Sequence, residues 1–204
     1  VFPELAPVMG RIVGESAKVV QDRLARYDLL SKFPGLTAMQ AFAITAFSFS
    51  TGSSVDLFSS YGAGVRLRHP ALEDKLQHYH YYLTSGLRLL PDEPRVLYRP
   101  LGVDAAEAEA HYRVGQFVHW RGYSSGVEDE EVAAGLATHR VVARLKALTA
   151  RDVSLFSVRS PEPEFLFLPN TRWRVEALEP VDAGVRVVLQ EAPDEPDVGA
   201  SLAF

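Results

Sequence analysis

Ser160-Pro161-Glu162-Pro163-Glu164-Phe165-Leu166-Phe167-Leu168-Pro169 sets two carboxylates two residues apart at the entrance to a strongly apolar run. Residues i and i+2 of a strand share one face. If the strand runs through Pro163, Glu162 and Glu164 aim at one point. If Pro163 breaks it, Glu164 opens the strand and Glu162 hangs from the loop before it. Either way a paired-carboxylate site is available. The flanking chain continues in the same style. His139–Leu148, Glu164–Leu168, Arg172–Leu178 and Val185–Leu189 alternate large apolar or β-branched residues with polar ones and read as strands. Asp182-Ala183-Gly184 reads as the hairpin turn between the last two.

Toward the N-terminus the period lengthens. Val96-Leu97-Tyr98 is a short β run, Ala105–Tyr112 a short helix, and Gln116–Trp120 a strand followed by a turn over Gly122-Tyr123-Ser124-Ser125-Gly126. Glu128–Leu136 reads as a helix whose acidic first turn, Glu128-Asp129-Glu130-Glu131, suits the helix dipole. Before residue 95 the pattern is helical. Ile12, Ser16, Val20, Leu24 and Tyr27 recur every three or four residues, and Phe33-Pro34-Gly35 ends that segment. Thr37 caps a second helix carrying Met39, Phe42, Ala43, Ala46 and Phe47. A loop over 48–54, a short helix over 54–61 and a loop at Gly62 and Gly64 come next. A long helix from Pro70 to about Leu90 then carries the stripe Leu72, Leu76, Tyr79, Leu83, Leu87 and Leu90. Helices first and strands second predict an α+β fold with a largely antiparallel or mixed sheet. No Gly-x-Gly-x-x-Gly follows a strand and no phosphate-cradling loop ends in Lys-Ser/Thr, so a dinucleotide-binding parallel sheet is not expected.

Composition narrows the classes further. The chain has 204 residues, 47% of them hydrophobic, which is enough to bury a full core. Its 21 basic and 26 acidic residues give a net charge of -5, which argues against a nucleic-acid or membrane-surface binder. The sequence has no cysteine, so a disulfide framework and a thiolate metal site are excluded. No apolar run reaches the roughly 18 residues of a membrane span. His78 and His80 are two apart on a helix and face away from each other, so no metal site is expected there. Starting at Val1 rather than Met, the chain reads as a domain of a longer protein.

Three separated pieces line up with the strand entrance. The first is Val96-Leu97-Tyr98-Arg99, and the second is Gly115-Gln116-Phe117-Val118-His119-Trp120-Arg121-Gly122-Tyr123-Ser124-Ser125. The third is Ala150-Arg151-Asp152-Val153-Ser154-Leu155-Phe156-Ser157, running into Glu162-Pro163-Glu164 and on to Val175. In this order they resemble the Arg, Ser and Glu motifs of mono-ADP-ribosyltransferases of the Arg-Ser-Glu class, the relatives of cholera-toxin-like and ecto-ADP-ribosyltransferases. The resemblance covers about residues 35–178 and is most specific over 150–175.

The resemblance implies one ADP-ribosyltransferase-like domain over 1–204. That domain would comprise an N-terminal helical extension at 1–34, a catalytic core at 35–192 and a loose tail at 193–204. N-terminal helices would pack on a split, mixed or antiparallel two-sheet core with an NAD cleft. NAD would be the co-substrate, with no metal. Glu164 would sit beside the ribose and steady the positive charge of an oxocarbenium-like transition state. Glu162 would orient an acceptor guanidinium and take its proton. Arg99 would grip the diphosphate or ribose with its planar fork, and Ser125 would hold the rotamer of Glu164. Tyr98, Ser124 and Phe156 would add contacts to NAD or the acceptor.

Two departures from the family pattern stand out. Pro100 replaces the usual glycine after the Arg and has no N–H to offer the nicotinamide amide, leaving that task to Leu101 or Gly102. The Ser-Thr-Ser motif is reduced to Ser124-Ser125-Gly126. Arg121, in Trp120-Arg121-Gly122, is a rival for the motif arginine. Arg99 is preferred because it ends the first strand after the helices and leaves 115–125 to supply the Ser motif.

The function implied is transfer of ADP-ribose to a protein arginine by a bacterial toxin or effector, secreted or delivered into a target-cell cytoplasm. Its partners would be a target protein and an immunity or inhibitor protein. Alternatives are the same fold acting on nucleic acid, a small molecule or water, or a degenerate relative that only binds NAD or protein. Each motif also has a purely structural reading: the glutamates as charges guarding an apolar strand against aggregation, Arg99, Arg172 and Arg174 as surface charges, and the serines as turn residues.

Overall fold

The computed structural model describes residues 17–48, 70–157, 163–181, 184–193 and 201–203, with backbone alone at 70–76 and 201–203. Chain contacts divide it into two compact units, Val1–Pro91 with Asp152–Glu162, and Asp92–Arg151 with Pro163–Phe204. The expected loops and short helix over 48–64 and the start of the first helix fall outside the described residues, Ser48 excepted.

The first unit is helical. Residues 17–27 form α1 and Leu29–Lys32 form α2. The single helix expected here is interrupted because Asp28 takes a left-handed φ of 47°, a conformation that Asp tolerates better than most residues. α3, Ala38–Ser48, follows Thr37. Thr37 Oγ1 accepts from the Gln40 N–H at 3.3 Å, and the Gln40 side chain accepts in return from the Thr37 N–H at 2.8 Å. This reciprocal pair satisfies two helix-end donors. Ala41, Ala43, Ile44, Ala46 and Phe47 are buried, but Met39 is exposed because the first turn lifts it off the apolar face. α4 is Pro70–Leu87. Its Gly86 lets the backbones of α3 and α4 meet closely, since a Cβ there would lie 2.9 Å from Gln40 Cβ. Tyr79 Oη donates to the Ala43 carbonyl at 3.0 Å across the same contact. The segment after residue 151 joins this unit through Arg23 Nη1, which donates to the Leu155 carbonyl at 2.6 Å.

The second unit is a mixed sheet with two short helices. Its elements are β1 Glu93–Pro100, α5 Ala105–His111, β2 Phe117–Trp120, β3 Ser124–Val127, α6 Glu130–Leu136, β4 Val141–Asp152, β5 Glu164–Phe167, β6 Thr171–Val181, β7 Gly184–Glu191 and β8 Ser201–Ala203. Strand order is β1-β3-β5-β4-β7-β6-β2-β8, with β1 also paired to β4. β1, β3, β5 and β4 therefore close a ring of neighbours, and the remaining strands continue from β4. The sheet is mixed, one of the arrangements expected. β4 and β7 pair in parallel, as do β2 and β8, while the remaining described pairs are antiparallel. The β6–β7 register ends at Val181↔Gly184, as a hairpin there requires.

Two expectations change. Residues 122–126 were expected to form a turn, but Ser124–Val127 is a strand lying between β1 and β5. Gly126 permits it: a Cβ there would come within 3.1 Å of Leu97 Cβ, so a larger residue would push β1 away. The segment after Ala192, expected to be loose, contributes β8 along the edge of β2, where it satisfies backbone groups that an edge strand leaves open.

The core of this unit gathers Leu97, Leu145, Phe165, Phe167, Trp173, Val175, Val187 and Leu189. Charged residues tie its rim. Arg186 bridges Glu130 of α6 and Glu179 of β6, and Arg95 joins Glu93 and Glu128. Glu128 and Glu130 are thus ion-paired rather than merely solvated. The register of β1 against β4 slips between Glu93 and Arg95, leaving an extra residue in β4. There the Leu148 and Thr149 N–H groups donate to buried Glu191 Oε2 at 2.6 and 2.9 Å. Bonds to a charged acceptor contribute roughly 1.5–3 kcal/mol each, so Glu191→Ala is expected to cost about 3 kcal/mol. Urea denaturation checks this, as an earlier midpoint at unchanged slope.

Candidate active site

Three neighbouring strands bring the motif residues together. Arg99 lies near the end of β1, where the ladder pairs it with Ala143 and pairs Pro100 with Val142 of β4. Its Nη1 donates to the Ser125 carbonyl at 2.8 Å and to Ser125 Oγ at 3.3 Å. Below it lies the Trp120 ring, 5.7 Å from Arg99 Cζ. Burial raises the pKa of the nearby Tyr112 phenol, and the charge of Arg99 works against that rise.

Glu164 is the first residue of β5 and is buried, 8% exposed. Of the two readings of Pro163, the one in which Glu164 opens the strand describes the structure. Glu162 lies outside the described residues. On the β3–β5 ladder Val127 faces Glu164 and Ser125 faces Leu166. Directly opposed residues share a face, as do i and i+2. Ser125 and Glu164 are therefore diagonal neighbours on one face, with Arg99 bonded to the first of them. A cation over an aromatic ring and a carboxylate are set on β1 and β5, the two strands that flank β3. Such a pair suits an anionic diphosphate next to a centre that gains positive charge.

Ser125, expected to hold Glu164, accepts hydrogen bonds from Arg99. Ser124 was expected to contact NAD. As strand neighbours Ser124 and Ser125 point to opposite faces, and Ser124 is buried opposite Phe167, its Oγ lacking a hydrogen-bond partner. Leu101 cannot lend its N–H to a ligand, because it donates to the Val141 carbonyl at 2.9 Å and the residue is buried. Gly102 is exposed, with open space where a Cβ would project. Phe156 is fully buried, with its ring 5.7 Å from that of Phe33. It is a core residue of the helical unit rather than an exposed aromatic contact. Tyr98 is half-buried and faces Val127 and Arg144 across its two ladders. Arg121 directly follows β2 and is half-exposed. Arg172 stacks 4.0 Å over the Phe117 ring, and Arg174 reaches Glu176 at 3.8 Å. The role of Trp120 beneath Arg99 was missed, because no local pattern distinguishes an indole under a cation from any buried Trp.

A family model described as NAD:arginine ADP-ribosyltransferase matches residues 14–197. No curated protein matches. Among solved structures, the chain is similar to the ADP-ribosyltransferase Vis, a toxin from Vibrio splendidus, in complex with agmatine. The TM-score is 0.68 at 19% identity, covering 93% of this chain and 90% of Vis. It is similar to the ADP-ribosyltransferase HopU1 of Pseudomonas syringae, with a TM-score of 0.71 at 13% identity over 90% of this chain and 97% of the other. It is also similar to a mutant of the eukaryotic mono-ADP-ribosyltransferase ART2.2 in complex with NAD, with a TM-score of 0.64 at 15% identity over 97% and 90%. At these identities the likeness to solved structures is one of fold.

Proposed function

The chain belongs to the NAD:arginine ADP-ribosyltransferase family, and we propose that it transfers ADP-ribose from NAD to an arginine of a target protein. The observation that carries this reading is the meeting of Arg99, Ser125 and Glu164 on β1, β3 and β5, three consecutive neighbours in the sheet. The agmatine bound to Vis, a guanidine compound, supports arginine as acceptor.

In the reaction, the bond between the nicotinamide nitrogen and the ribose C1′ breaks. Nicotinamide leaves neutral with the bonding electrons, and the ribose takes up positive charge. Arg99 grips the diphosphate while Ser125 fixes its plane. The Glu164 carboxylate stands beside the charged ribose and lowers the energy of that state. An acceptor guanidinium is a poor nucleophile because it stays protonated in water. Glu162, two residues before Glu164, accepts one proton from the attacking nitrogen as the new carbon–nitrogen bond forms, so the product is a singly charged alkylguanidinium rather than a dication. We further infer that the chain acts as a toxin or effector inside a target cell, with Vis as the supporting analogy, and that an immunity protein restrains it in its producer.

The division of labour between the carboxylates is the test. Glu162→Gln is expected to cut transfer to agmatine by about 100-fold or more, within the range of general-base catalysis, while nicotinamide release into water continues. Chromatography of both products from labelled NAD measures the two rates together. An equal loss of both would remove the assignment of Glu162 to the acceptor.

A further inference from the structure

We propose that Trp120 is a positioning residue for Arg99, fixing the plane of the guanidinium that meets NAD. The proposal rests on the reading of Arg99 given above. Trp120 closes β2 and is 5% exposed. Arg99 Cζ lies 5.7 Å from its ring centroid, within the reach at which a cation is drawn to the negative face of an indole. Behind it, the Trp173 ring on β6 lies 5.1 Å away at 49°. Phe167 then meets Trp173 edge-on at 5.2 Å and 78°. Phe167 belongs to β5, the strand that Glu164 opens. One packed aromatic series therefore runs from beneath the cation to the strand that carries the carboxylate.

The indole nitrogens point the same way. A buried Trp ordinarily finds an acceptor for its N–H. Trp173 Nε1 has none, and Trp120 Nε1 makes no bond of ordinary geometry, although the Tyr112 phenol is close enough to be influenced by it. The Trp173 ring is seated by its faces and not by its N–H, while the Trp120 N–H lies against the Tyr112 phenol. Leaving an N–H without a partner is unfavourable, so the seating matters more than the lost bond. Two acceptors on Ser125 then hold Arg99 Nη1, and the Trp120 face limits the tilt of the guanidinium. A guanidinium held in plane loses less freedom when it meets a diphosphate.

The test uses kcat/KM for NAD, followed by nicotinamide release, with thermal melting of every variant. Trp120→Leu is expected to reduce kcat/KM about five- to ten-fold, chiefly through KM, in keeping with a partly desolvated cation–π contact. Trp120→Phe keeps a ring face and is expected to stay within about three-fold. Trp173→Phe, which disturbs the stack without touching Arg99, should lower the melting temperature yet leave KM nearly unchanged. In an Arg99→Ala background, Trp120→Leu should add less than two-fold. A full, additive loss in that background, or a KM that simply follows melting temperature across the set, would overturn the proposal. If Arg99→Ala itself leaves kcat/KM unchanged, the underlying reading of Arg99 fails and this proposal with it.

Discussion

Glu164→Gln is expected to abolish both ADP-ribosyl transfer and NAD hydrolysis, by about 1,000-fold or more, which corresponds to the loss of about 4 kcal/mol of transition-state stabilisation. Glu164 is one of the few buried charged residues of the sheet unit and stands at the first position of β5. Glutamine keeps the shape and one carbonyl oxygen but removes the negative charge. A charge set against a developing cation in a largely water-excluded site contributes far more than the same charge at the surface. Transfer and hydrolysis share the step in which the ribose becomes positive, so both should fall together. The fold should persist, because Phe165, Leu166 and Phe167 anchor the strand in the core. Product chromatography beside a melting curve checks both statements. Surviving hydrolysis would place the stabilising carboxylate elsewhere.

Arg99→Lys is expected to lower kcat/KM for NAD by roughly 100-fold, whereas Arg121→Lys should change it by less than about three-fold. Arg and Lys carry the same charge but differ in shape: a planar fork of donors against a compact ammonium. Both Ser125 bonds come from the single nitrogen Nη1 of Arg99; a lysine ammonium engaged there has no second, coplanar nitrogen to present to a diphosphate. Arg121 lies outside that arrangement. The two variants side by side, assayed for nicotinamide release, settle which arginine serves the motif. Loss confined to Arg121→Lys would transfer the role to the rival.

Much of the sheet was legible because alternation reports burial directly. Trp173 and Val175 are buried, while Arg172, Arg174 and Glu176, which alternate with them, are half-exposed, so β6 announces itself. β5 was legible for another reason: a four-residue apolar run after a proline has few homes other than a strand covered on both faces. β3 was hidden because Ser124-Ser125-Gly126 has the composition of a turn, and its strand character comes from β1 and β5 on either side. The break at Asp28 was hidden too, since the apolar spacing continues through it. Phe156 was a candidate ligand contact by resemblance alone; its partner Phe33 lies in the N-terminal helical region, and only the fold brings them together. In the site, the family resemblance proposed Arg99, Ser125 and Glu164 together, and they stand on three neighbouring strands. The resemblance did not reveal that the serine faces the arginine, or that Trp120 lies beneath it. Such contacts depend on strand register, which no local pattern carries.

The central claim is that these strands serve transfer of ADP-ribose to arginine. Its most direct test is incubation of the unmodified chain with NAD and a target-cell lysate, followed by mass spectrometry of the modified peptides. ADP-ribose attached to arginine side chains, and absent when Glu164→Gln replaces the wild type, is the expected result. Label found on RNA, or free ADP-ribose as the sole product, would contradict it.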